Sequence, residues 1–106
     1  MPIYDLYGVK TRTIEDARLT VENAVGIQFD EHDTTYYRAP YFAHGIIGEE
    51  TFQLKINMDP FEDTPLEEDL SDFLFLLYVN NTNRSESLQA TFSNTGQIVL
   101  LRHEDI

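Results

Sequence analysis

Seven consecutive apolar residues, Phe73 to Val79, constrain the fold of this chain more than any other feature. A strand with one wet face alternates apolar and polar residues. A short unbroken apolar run between polar flanks suits a strand covered on both faces. Phe73–Val79 is therefore read as the central strand of a sheet. The remainder of the chain has to supply its neighbours and the helices that cover it.

The rest of the sequence divides readily around that strand. Ile3 to Tyr7 reads as a short strand closed by Gly8. Thr13 has the character of a helix N-cap, with Asp16 three positions on imitating a capping box. Ile14, Ala17, Val21, Ala24 and Val25 then recur at helical spacing up to Gly26, a C-terminal cap. The spacing predicts a helix over 14–25. Ile27 to Phe29 reads as the start of a strand, and Asp30-Glu31-His32-Asp33 as a polar turn. Tyr36 to Tyr41 and Phe42 to Ile47 favour β structure but are interrupted by Pro40, Gly45 and Gly48, which predicts edge strands or an ordered loop. Glu50 to Met58 alternates, with Phe52, Leu54, Ile56 and Met58 on one side, as a half-buried strand does.

After the central strand, Asn80 to Asn83 reads as a turn cluster capping a second helix. That helix runs from Arg84 to about Asn94, burying Leu88 and Phe92 and stopping at Gly96. Ile98 to Leu101 reads as a last strand, and His103-Glu104-Asp105 as a frayed end. The order strand, helix, strands, helix, strand predicts a single α+β domain with a mixed sheet and two main helices. If the strands flanking the second helix are parallel, their crossover is right-handed.

Charge bears on function rather than fold. The formal net charge is -12 over 106 residues. Between Glu49 and Asp72 lie Glu49, Glu50, Asp59, Glu62, Asp63, Glu67, Glu68, Asp69 and Asp72, opposed only by Lys55. Such a field attracts a cationic partner and repels nucleic acid and anionic membrane. The apolar fraction of 42 % and the thirteen Phe and Tyr residues mark a packed globule rather than an acidic tail. With no cysteine, neither a disulfide nor a thiolate metal site exists. No signal-like segment and no apolar run of about 20 residues is present, so a soluble, cytoplasmic protein is expected.

Several groups invite a functional reading. The acids of 59–72 are interleaved with Phe61, Leu66, Leu70 and Phe73, which anchor the segment to the core, and Leu66 to Leu70 suits one helical turn. Long connections of this kind inside compact domains are often functional, and ordered carboxylates pair with Lys and Arg. An EF-hand order is absent, so calcium is not favoured. Tyr36, Tyr37 and Tyr41 carry the area and polar tip of binding anchors. Asp30, Glu31 and Asp33 surround His32, with His44 further on, but no metal-ligand spacing is met. No Ser sits in a nucleophile-elbow context, so no catalytic residue, metal or cofactor is expected.

Gly48-Glu49-Glu50-Thr51-Phe52-Gln53-Leu54, Asn57-Met58-Asp59-Pro60-Phe61-Glu62-Asp63 and the run from Leu76 to Glu86, together with Tyr4–Gly8 and the helix from Thr13 to Gly26, are the residues of a resemblance. The chain resembles immunity proteins of bacterial contact-dependent growth inhibition systems. It has Tyr37-Arg38-Ala39-Pro40-Tyr41 where the resemblance leads to a Gly- and Tyr-rich stretch. The resemblance implies a non-enzymatic inhibitor that stays in the cytosol and covers the active site of a cognate basic toxin, by analogy a ribonuclease. The partner-binding set expected is Asp59, Glu62, Asp63, Glu67, Glu68, Asp69 and Asp72, with Tyr36, Tyr37, Tyr41, Asp30, Glu31 and Asp33. A structural or regulatory interaction domain with an acidic surface is the alternative.

Overall fold

The computed structural model describes residues 3–32, 41–46, 48–57 and 73–105. Its elements are β1 (Ile3–Val9), α1 (Ile14–Val25), β2 (Asp30–His32), β3 (Tyr41–Gly45), β4 (Thr51–Ile56), β5 (Phe75–Thr82), α2 (Ser85–Ser93) and β6 (Ile98–Asp105). The six strands form one sheet in the order β2-β3-β4-β5-β1-β6. The α+β class with two helices is as the sequence predicts.

Every neighbouring pair is antiparallel, where a mixed sheet was expected. The parallel relation exists one strand removed. β5 and β6 both run antiparallel to β1, which lies between them, so the β5-α2-β6 unit is a split crossover.

Both helices cover one face. Ala17 and Val21 of α1, Leu88 and Phe92 of α2, and Tyr7, Val9, Phe42, Phe52, Leu54, Phe75, Leu77, Val79 and Ile98 of the sheet form one buried cluster. The opposite face carries Tyr4, Leu6, Tyr41, Lys55, Leu76 and Tyr78 by strand alternation. Leu6 and Leu76 are nonetheless buried, at 3 % and 0 % exposure. β5 therefore has the two-faced burial that its unbroken apolar run implies.

The caps of α1 form as the sequence predicts. Thr13 Oγ1 accepts the Asp16 N–H at 3.1 Å, and Gly26 closes the helix at φ 80° while its N–H donates to Glu22 O.

Several strand ends differ from expectation. Gly8 lies inside β1 rather than ending it, because the Phe73 ring packs where a Cβ would stand. Residues 27–29 are not strand: Phe29 is buried in the core and its N–H is held by Glu22 Oε2 at 2.8 Å. The strand forms instead at Asp30–His32, whose backbone pairs with Tyr41–Ala43. At a sheet edge the exposed Asp30 and Glu31 side chains reach solvent without cost. β3 is internal, between β2 and β4.

The second half of the sheet is longer than its apolar pattern. β5 begins at Phe75, with Leu74 62 % exposed before it, and continues through Asn80, Asn81 and Thr82. Asn80 pairs with Thr51 and Thr82 with Ile3 rather than forming a turn. The register slips there, and Asn81 takes up the irregularity at φ 57°, a conformation Asn tolerates. β6 runs to Asp105, so His103-Glu104-Asp105 is paired strand and not a frayed end.

Candidate functional site

The expected binding residues distribute unevenly over the fold. Asp33, Tyr36 and Tyr37, and the acids Asp59, Glu62, Asp63, Glu67, Glu68, Asp69 and Asp72, lie outside the described residues, as does the helical turn expected at Leu66–Leu70. The strands fix where both connections attach. β2 ends at His32 opposite Tyr41, and β4 ends at Ile56 opposite Phe75. Since β2-β3-β4-β5 alternate in direction, both connections leave the sheet at the same end.

Asn57 closes the neck of the acidic connection. It is 7 % exposed, its N–H donates to Leu74 O at 2.7 Å, and its Nδ2 donates to Phe73 O at 3.0 Å. Of the other expected residues, Asp30 and Glu31 are exposed on the edge strand β2, and Tyr41 is half-buried on β3 beside it. Lys55 Nζ lies 5.9 Å from the Tyr41 ring centre and 5.4 Å from that of Tyr78. Burial lowers the Lys55 pKa, while the ring faces favour its cation.

Elsewhere Arg18 and Arg84 are neutralised locally. Arg18 spans Glu15 at 2.8 Å and Glu22 at 3.0 Å along α1. Arg84 grips Glu50 with Nε and Nη2, the shortest contact being 2.7 Å, and Thr82 Oγ1 donates to the same carboxylate at 2.7 Å. Hydrogen bonds from Arg84, then from Thr82, with the charge of Arg84, hold the Glu50 carboxyl below its ordinary range against the opposing effect of burial. Thr82 also accepts the Arg84 N–H at 3.1 Å, so it supports the start of α2 from two residues before the N-cap position. Lys10 and Arg12 line a surface groove with Phe73 and Leu74, at the end of the sheet where the acidic connection attaches.

A buried polar cluster lies at the opposite end of the sheet. Asp5, with a fully buried side chain, accepts from Ser85 Oγ at 2.5 Å and lies 2.6 Å from His103 Nδ1. Gln89 Nε2 donates to Ser85 Oγ at 2.9 Å. The three residue types are those of a nucleophilic triad, but the connectivity differs. Ser85 gives its proton to the carboxylate, and His103 meets Asp5 through Nδ1, the ring nitrogen also nearest Ser85 at 3.4 Å. A triad requires the opposite imidazole nitrogen to accept from the hydroxyl. The cluster ties β1, β6 and the first turn of α2 together, with the carboxylate close to the positive end of that helix. The signal that it exists is a lone Asp in an apolar strand, Ile3–Val9, but its partners are 80 and 98 residues away.

Among the described residues no group of three His, Cys, Asp or Glu side chains is placed to hold a metal ion. His44 Nδ1 is 2.8 Å from Gln28 O, at the exposed rim of β3. No described helix is long and apolar enough to cross a membrane. Comparison of the chain with protein-family models, curated proteins and solved structures finds no match.

Proposed function

We propose that this chain is an immunity protein that binds and neutralises a cationic toxin domain, a ribonuclease of a contact-dependent growth inhibition system, by covering its active site without chemistry of its own. The observation that carries the reading is the concentration of charge between β4 and β5. Nine acids against one base lie between Glu49 and Asp72, and most of them belong to a connection closed at its neck by Asn57. The connection bearing Tyr36, Tyr37 and Asp33 attaches at the same end of the sheet. An acidic surface with aromatic anchors complements a cleft built for RNA phosphates. Work in the producing cell's cytosol belongs to the same proposal.

Replacement of Asp59, Glu62, Asp63, Glu67, Glu68 and Asp69 by Asn or Gln, in groups, tests the reading. The partner is the toxin domain encoded beside this chain's gene. Steered association reaches about 10⁸–10⁹ M⁻¹s⁻¹ at low salt and falls steeply as salt rises. Neutralised groups are expected to slow association, flatten its salt dependence and weaken protection of cells making the toxin. Parent-like binding and protection by every group variant would show the acids to be a solvated loop.

A further inference from the structure

The two edges of the sheet are managed differently. β2 is three residues long and carries exposed Asp30 and Glu31, so it is a poor template for another strand. β6 is eight residues long, and its outer side has no strand beside it among the described residues. Its first half is apolar and open: Val99 is 36 % and Leu100 37 % exposed.

The ladder phase shows which backbone groups face outward. Lys10 N–H donates to Gln97 O at 2.7 Å, and Gly8 is opposite Val99. Hydrogen-bonded and non-bonded pairs alternate along an antiparallel ladder. Val99 therefore bonds inward to β1, and the N–H and C=O of Ile98 and Leu100 point away from the sheet. Beyond Leu100 the register slips, and the strand ends with exposed Glu104 and Asp105. On the open face beside this edge, Tyr4, Leu6, Tyr78, Asn80, Arg102 and Glu104 line a groove of about 300 Å³.

We infer that β6 is a strand-addition site for a basic strand of a protein partner, seated on the outward backbone groups of Ile98 and Leu100. Main-chain bonds to an exposed edge supply affinity, and alternate side chains supply specificity. Charge selects the occupant. The edge ends in Glu104 and Asp105, and a second copy would bring a further net charge of -12 against it. A strand with apolar residues against Val99 and Leu100 and Lys or Arg against Glu104 and Asp105 fits both halves.

The inference rests on the reading of a cationic toxin partner, and the test separates the two. Hydrogen–deuterium exchange is followed on the chain alone and mixed with the toxin domain encoded beside its gene. Amides of Ile98 and Leu100 are expected to slow at least tenfold on binding, while that of Val99, already bonded inward, changes less. A complex that forms without slowing β6 overturns the edge inference and leaves the toxin reading standing. No complex at low salt overturns the toxin reading and takes this partner with it. Leu100→Lys and Leu100→Glu place opposite charges at the same exposed position with equal demands on the fold. Leu100→Lys is expected to weaken the complex at least tenfold relative to Leu100→Glu, and equal affinities would overturn the inference. Dimerisation of the chain alone, abolished by Leu100→Lys, would make a second copy the occupant and overturn it as well.

Discussion

Tyr7 carries its hydroxyl into the core, where it finds no hydrogen-bond partner among the described residues. Its ring meets Phe92 edge-on at 4.7 Å, so the packing belongs to the ring and the cost to the oxygen. Burial pushes its pKa up, with the Asp5 charge adding to the effect. Tyr7→Phe is expected to stabilise the fold by about 1 kcal/mol, read as a rise of about 4–8 °C in thermal midpoint. Asp5 is the opposite case, a buried charge with two partners. His103→Ala leaves that carboxylate with Ser85 alone and is expected to cost about 1.5 kcal/mol in denaturant unfolding, as for a lost hydrogen bond to a charged group whose other partner is 43 % exposed. Glu50 gives a pH signature. Its folded-state pKa is lowered, so its pairing with Arg84 stabilises fully above the ordinary carboxylate range and is lost as pH falls through the lowered value. Glu50→Gln is expected to cost about 1 kcal/mol at neutral pH, and parent and variant should converge in equilibrium unfolding as pH falls through that lowered value.

At the scale of elements, α1 was legible to the residue because its signals are local. The Thr13 hydroxyl, the apolar spacing and Gly26 all act within the segment they delimit. Thr13→Ala should cost about 1 kcal/mol through the lost cap bond. Gly26→Ala meets no neighbour within 4 Å, so its expected cost of about 1 kcal/mol is conformational alone, at φ 80°. Equal thermal midpoints for parent and either variant would contradict these assignments. β4 was legible for the same reason, since its alternation records which face is buried. β2, the end of β5 and the second half of β6 were not. Their residues are polar, and they are strand because another segment's backbone lies alongside. Side-chain pattern carries no record of that when both side-chain faces are wet or engaged in polar contacts.

At the scale of the whole molecule, the acidic field is a property of composition and its placement a property of topology. Association of the parent with the proposed toxin partner is expected to slow at least tenfold between low and physiological salt in stopped-flow measurements, and less in the group-neutralised variants. The sequence alone determined the class of fold, both helices, the central strand and the sign of the surface, because these follow from local periodicity, caps and charge counts. Only the tertiary structure decided the antiparallel order β2-β3-β4-β5-β1-β6. It also brought the two candidate connections to one end, left β6 as the long open edge among the described residues, and joined Asp5, Ser85 and His103 across the ends of the chain. Each of these depends on which distant strands pair, and pairing is settled by burying the shared core rather than by any residue's neighbours in sequence.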